Sequence, residues 1–109
     1  MDWGLLILAL ILVESGGDNS AVGDRGHAIG CLQIHRCVVE DVNRIYKMNF
    51  RYPRDALNRQ KSVEICMLYL KHYGLDYERR TKKPATAEVL ARIWNGGPNG
   101  AKPQAAPTR

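Results

Sequence analysis

The first stretch of the chain is almost entirely apolar. Residues 4–13 (GLLILALILV) carry no charge, and this pattern predicts a helix over about residues 3–15. Because the segment is apolar all round, we expect it to be buried on all sides. Ser15, Gly16 and Gly17 predict its end, since glycine readily adopts the left-handed conformation that stops a helix. A bilayer-spanning helix needs about 20 apolar residues, so we expect no stable membrane span.

Three further segments show the periodicity of amphipathic helices. The second helix is expected at about residues 36–47 and the third at about residues 58–73, where Gly74 is expected to stop it. A short fourth helix is expected after Pro84, with Thr86 as its N-cap. The apolar positions that carry these stripes are Val38, Val42 and Ile45; Val63, Cys66, Met67 and Leu70; and Val89, Leu90, Ile93 and Trp94.

The segments between the helices have the composition of turns. Residues 16–32 contain five glycines among Asp, Asn and Ser, and predict turns with a short, irregular hairpin around residues 22–29. Residues 48–57 predict a loop around Pro53, residues 75–85 a basic connection, and residues 95–100 an abrupt helix end. We therefore expect a mainly α (α+β) domain over residues 1–100, with about four helices and a small irregular β or loop wing. Residues 101–109 are expected to form a disordered tail.

Acidic and basic residues are segregated along the chain. The net charge is +5, yet the first 24 residues hold four acids and no Lys or Arg. Residues 25–109 hold 16 basic and 7 acidic residues. A basic body that carries an acidic loop suits a polyanionic partner such as a cell-wall polymer. Nucleic acid is not expected as a partner, because the basic residues are dispersed and no aromatic platform accompanies them.

The three cysteines do not predict a disulfide framework. Their odd number and the lack of a CxxC motif favour buried free thiols at Cys31, Cys37 and Cys66. A zinc site formed by His27, Cys31, His35 and Cys37 is the alternative, although this spacing matches no familiar zinc finger. We therefore expect neither a metal nor another cofactor.

Two carboxyl groups in contrasting surroundings are the first candidates for catalysis. Glu14 falls on the last turn of the apolar helix, where the helix dipole and apolar neighbours favour its protonated form. Asp24 falls in a polar, glycine-rich loop that allows it to stay ionised. Glycoside hydrolysis commonly uses such a pair, in which one group protonates the leaving oxygen and the other attacks or activates water. The alternative is a polar helix end and a loop aspartate that makes local turn bonds, since spacing alone does not bring the two together.

Three separated motifs resemble the lysozyme-like superfamily. ESGG starts at Glu14, AVGDRGHAIGCLQIH spans residues 21–35, and ARIWNGGPNG spans residues 91–100. Together they are similar to invertebrate-type lysozymes and related bacterial and phage muramidases, and also to soluble lytic transglycosylases. The resemblance covers about residues 5–100 and implies a lysozyme-like fold.

The resemblance also implies roles for individual residues. Glu14 matches the family's catalytic acid, and Asp24 matches the second carboxylate of invertebrate-type lysozymes. The implied activity is that of a muramidase, which hydrolyses the β-1,4 bond between N-acetylmuramic acid and N-acetylglucosamine in peptidoglycan. The residues implied to bind the substrate are Gly30, Gln33 and Ile34 with the adjacent His35 in one wall of a cleft, and Asn95, Gly96 and Gly97 in the other.

Two alternatives to a muramidase stay open. A lytic transglycosylase would need Glu14 alone, because the 6-hydroxyl of the sugar attacks in place of water. A non-catalytic peptidoglycan-binding module would hold the same polymer without cutting it. Every alternative has glycan strands of peptidoglycan as the partner and predicts a location in the cell envelope or outside the cell. Residues 4–13 also have the length of the apolar region of an export signal.

Overall fold

The computed structural model describes residues 1–98. Within that range the chain forms four α-helices and one two-stranded antiparallel sheet, so the prediction of a mainly α fold with a small β wing is confirmed. The expected tail at residues 101–109 lies outside the described residues, as do Asn99 and Gly100. The elements are α1 (Trp3–Ser15), β1 (Val22–Gly23), β2 (Ala28–Ile29), α2 (Arg36–Tyr46), α3 (Arg59–Thr81) and α4 (Ala87–Gly96), with 3-10 turns at Asp24–Gly26 and Arg54–Leu57.

The long helix α3 is the centre of the fold, and α1, α2 and α4 all pack against it. Ile65, Cys66 and Leu70 on α3 have no exposed surface. Trp94 of α4 belongs to the same core, and its indole N–H donates to the carbonyl oxygen of Leu32 at 3.3 Å. Since Leu32 lies in the wing (residues 16–35), this bond ties α4 to the wing across the core.

Helix α3 continues well past the position where the sequence predicts its end. Gly74 lies inside the helix and is buried, and a Cβ atom added to it would lie 3.0 Å from Leu90 Cδ2 of α4. The glycine therefore allows α3 and α4 to pack closely, and the prediction that it stops the helix is wrong. The helix ends at Lys82, whose φ is 60° and whose N–H donates to the carbonyl oxygen of Glu78. Most of the expected connection at residues 75–85 is thus the end of α3.

Helix α1 has the predicted bounds but not the predicted burial. The Asp2 side chain accepts a hydrogen bond from the Leu5 N–H at 3.0 Å, and Gly16 ends the helix at a φ of 66°. Only one face is buried, so the expectation of burial on all sides is wrong. The buried face consists of Leu6, Ile7, Leu10 and Ile11, whereas Leu5, Leu8, Leu12 and Val13 are between 51% and 82% exposed. No helix among residues 1–98 is both long enough and apolar enough to cross a membrane.

Helices α2 and α4 match their predicted starts. The Thr86 side chain accepts a hydrogen bond from the Val89 N–H at 3.2 Å and is the N-cap of α4, as expected. Helix α4 includes Asn95 and Gly96, so the predicted loop begins two residues later than the sequence indicates. The buried face of α2 is formed by Val38, Val39 and Val42.

Candidate active site

Glu14 is held by the well-anchored end of α1. The Ser15 hydroxyl donates to the carbonyl oxygen of Cys31 at 2.8 Å and accepts a hydrogen bond from the Gly17 N–H at 3.1 Å. The Gly16 N–H donates to the carbonyl oxygen of Leu12 and closes the last turn. These bonds fix the helix end against the wing, so the half-buried Glu14 has a defined position.

The turn from Gly30 to Gln33 forms the support beneath the site. The Gln33 side-chain amide donates to the carbonyl oxygens of Gly30 at 3.0 Å and Ala21 at 3.3 Å. The Gly30 N–H also donates to Ala21, at 2.7 Å. Gly30 has a φ of 83°, and a Cβ atom there would lie 1.8 Å from the carbonyl oxygen of Ala56. Only glycine fits at this position, because both the conformation and the close backbone contact exclude a side chain.

Asp24 is held more loosely, in the turn between the two strands. Asp24, Arg25 and Gly26 have φ values of 49°, 56° and 90°, three successive residues in the left-handed region. Such a turn is costly for Asp and Arg and is tolerated where local contacts compensate. Asp24 Oδ2 lies 3.3 Å from His35 Nε2, and the aspartate side chain is 41% exposed.

A cavity of about 340 Å³, here called the catalytic cavity, brings the candidate residues together. It lies where the end of α1, the wing and the end of α4 meet. Its size suits a sugar ring, and its walls carry two carboxyl groups, an imidazole and two side-chain amides. The lining residues are Val13, Glu14, Asp24, Ala28, Gln33, His35 and Asn95.

Some residues that the resemblance implies for substrate binding are not exposed in this cavity. Ile34 has no exposed surface and Gly30 is buried, and neither lines the catalytic cavity, so their part in substrate binding stays a prediction. Both support the turn from below, where Ile34 pairs with Ile29 in an isolated β-bridge. Gly96 and Gly97 are half-buried at the end of α4, next to the cavity-lining Asn95.

A family model, the transglycosylase SLT domain, matches residues 2–99 of the chain. The chain belongs to the transglycosylase SLT domain family. This family lies in the lysozyme-like superfamily, so the superfamily resemblance carried by the three motifs is confirmed. Membership makes the SLT domain an enzyme of the lytic transglycosylase or lysozyme type that acts on peptidoglycan glycan strands. Comparisons with curated proteins and with solved structures gave no significant match.

A second cavity of the SLT domain, here called the side cavity, was not expected from the sequence. It has a volume of about 510 Å³ and shares Asp24 and His35 with the catalytic cavity. Its other walls include Arg36, whose guanidinium carbon lies 4.9 Å from the centre of the Tyr52 ring. The Tyr52 hydroxyl donates to the carbonyl oxygen of His27 at 2.6 Å. Arg36 is the first residue of α2, whereas Tyr52 lies in the loop that follows this helix. The sequence carries no signal that pairs them.

The cysteines do not assemble with the histidines into a metal site. Cys31 and Cys66 have no exposed surface, and burial raises the pKa of the Cys31 thiol, which keeps it protonated. Cys37 is exposed, so the expectation of a buried thiol at that position is wrong. Within residues 1–98, no three His, Cys, Asp or Glu side chains converge as metal ligands.

Proposed function

We propose that this SLT domain is a lytic transglycosylase that cleaves the β-1,4 bond between N-acetylmuramic acid and N-acetylglucosamine. The observation that carries this proposal is the unequal placement of its two carboxyl groups. Glu14 occupies the anchored wall of the catalytic cavity, whereas Asp24 lies in an exposed turn, 3.3 Å from His35. A reaction that depends on one well-positioned acid suits this arrangement better than one that depends on two.

Glu14 acts first as the acid and then as the base. Its carboxyl group donates a proton to the bridging oxygen, and the bond from that oxygen to C1 of the muramic acid breaks. The 6-hydroxyl oxygen of the same muramic acid then bonds to C1, and its proton passes to the Glu14 carboxylate. The products are a free 4-hydroxyl end and a 1,6-anhydro end, and no water is consumed.

Asp24 and Asn95 serve as supporting groups in this scheme. The Asp24 carboxylate stabilises the positive charge that develops on the sugar ring. This stabilisation weakens as the distance between the carboxylate and the ring grows. Asn95 lines the same cavity, and its side-chain amide would bind the N-acetyl group of the sugar. Because the substrate is a wall polymer, we propose that the protein acts in the cell envelope or outside the cell.

A muramidase is the second candidate, because Asp24 lines the same cavity as Glu14. In that mechanism Asp24 would act as a nucleophile or activate water, and the product would carry a reducing end. A non-catalytic peptidoglycan-binding module is the third candidate and would release no fragments at all.

Product analysis separates these candidates. Purified peptidoglycan is digested in water enriched in heavy oxygen, and the released fragments are weighed by mass spectrometry. We expect anhydro ends, one water lighter than reducing ends, without heavy oxygen at the cleaved position. Reducing ends that carry heavy oxygen would establish a muramidase instead. Retention of the protein on the polymer without released fragments would establish a binding module, and Glu14→Gln serves as the control for contaminating activity.

A further inference from the structure

We propose that the side cavity binds a carboxylate of the peptide branch that peptidoglycan carries on its muramic acid, and that Arg36 recognises it. The inference rests on the proposed function, because it takes the glycan strand to occupy the catalytic cavity. It adds a substrate preference, namely for strands that still carry their peptides over bare glycan.

Arg36 is available to bind an anion. It forms no ion pair with a carboxylate among residues 1–98, whereas Arg44, Arg80 and Arg92 each have an acidic partner. The guanidinium group is planar and offers paired donors that match the two oxygens of a carboxylate. An arginine in a cavity wall without an acidic partner therefore suits a carboxylate ligand.

Tyr52 holds the guanidinium group in place. Its ring supports Arg36 at 4.9 Å, and its hydroxyl is anchored to the carbonyl oxygen of His27 at 2.6 Å. Burial raises the pKa of the Tyr52 hydroxyl, so this group stays protonated and can donate the bond. Because Arg36 covers one face of the ring, that face is closed to stacking by a sugar. These contacts favour an anion over an additional sugar ring in the side cavity.

The position of the side cavity points to the peptide branch. It adjoins the catalytic cavity, since Asp24 and His35 line both, so a branch of the sugar being cut would have only a short distance to reach it. The acetylated sugar rings are uncharged, and the carboxylates of the polymer lie on the branches of the muramic acid. The imidazole of His35 lies 3.3 Å from Asp24, so the carboxylate that borders the side cavity already has a partner.

Cys37 provides a direct readout, because it is exposed and lines the side cavity while Cys31 and Cys66 are buried. The experiment measures how fast N-ethylmaleimide alkylates Cys37 in the full-length protein at increasing concentrations of a disaccharide. One disaccharide carries a tetrapeptide on its muramic acid, and the other has the lactyl group alone. Both join N-acetylglucosamine to a terminal muramic acid, so neither contains the bond that the proposed reaction breaks. The variants are Arg36→Ala, Arg36→Lys and, as the matched control, the exposed arginine variant Arg79→Ala.

We expect the peptide-bearing disaccharide to protect Cys37 at lower concentration than the peptide-free one. Arg36→Ala should raise the protecting concentration about tenfold, the loss expected for one charge-assisted contact. Arg36→Lys should recover part of this loss, and Arg79→Ala should behave as wild type. Equal protection by the two disaccharides, or unchanged protection in Arg36→Ala, would overturn the proposal. A failure of the proposed function would be seen in the product analysis, where the wild-type protein would release no anhydro products.

Discussion

The two carboxyl-bearing walls of the catalytic cavity differ in how the fold holds them. Glu14 lies on a 13-residue helix whose inner face is packed in the core and whose end is fixed by the Ser15 hydroxyl. Asp24 lies on a three-residue turn between strands of two residues each, and none of that turn is buried. The core and the helix end therefore hold one acid firmly, whereas no packed element holds the other. The second carboxyl group depends on local contacts, chiefly with His35.

The largest effect is expected from Glu14→Gln, which keeps the shape of the side chain but removes its proton. Loss of a general acid and base costs roughly 100- to 10,000-fold in rate. The release of soluble fragments from peptidoglycan measures this loss. Glu40→Gln is the matched control, because Glu40 is exposed on α2 and should have no effect. Similar rates for the two variants would remove Glu14 from the mechanism.

A smaller effect is expected from Ser15→Ala, which loosens the wall that carries Glu14 without changing Glu14. The change removes the bonds to Cys31 and Gly17, and losing a partly buried anchor costs about 1–3 kcal/mol of unfolding free energy. We expect cleavage to fall about tenfold even well below the melting temperature, since small displacements of a catalytic group are costly. Ser20→Ala is the control, because the Ser20 hydroxyl is exposed and bonds only to the nearby Asp18. Normal activity in a destabilised Ser15→Ala protein would show that this anchor does not position the acid.

A smaller loss of cleavage rate than for Glu14→Gln or Ser15→Ala is expected from Gln33→Ala. This substitution loosens the wing and leaves the end of α1 intact. The side-chain amide loses its bonds to Ala21 and Gly30, which together contribute about 1–2 kcal/mol to stability. Because Glu14 keeps its own anchor, we expect the rate to fall only a few-fold. Urea unfolding and fragment release measure the two quantities, with the exposed Gln60→Ala as the control. A loss of rate as large as that of Ser15→Ala would show that both walls matter equally.

The sequence predicted most of the fold because its helices carry clear stripes and caps. The bounds of α1, the N-cap at Thr86 and the hairpin between residues 22 and 29 depend on neighbours in sequence, which the local pattern reveals. Gly74 was misjudged because its role depends on Leu90, a residue of another helix. The exposed face of α1 was missed for a similar reason, since apolar composition does not tell which side meets the core.

The same distinction applies to the site. The contrasting surroundings of Glu14 and Asp24 make them candidates, the motifs that resemble a known superfamily add Asn95, and the fold brings all three to one cavity. The resemblance implies Ile34 in the substrate site through the Gly-x-x-Gln-Ile turn, yet Ile34 pairs with Ile29 in a β-bridge and has no exposed surface, a placement that depends on its packing. The pairing of Arg36 with Tyr52 joins two elements 16 positions apart and leaves no local pattern.

The central claim is that cleavage depends on one acid, and Asp24→Asn tests it most directly. The substitution removes the negative charge of Asp24 and preserves the size of the side chain. Initial rates and product masses are measured beside wild type and Glu14→Gln on the same peptidoglycan. We predict that Asp24→Asn keeps more than about a tenth of the wild-type rate and still yields anhydro ends, because Asp24 neither gives nor takes a proton in the proposed reaction, whereas loss of a proton donor costs about 100-fold or more. A fall in rate as deep as that of Glu14→Gln would contradict the account and make Asp24 an equal partner in catalysis.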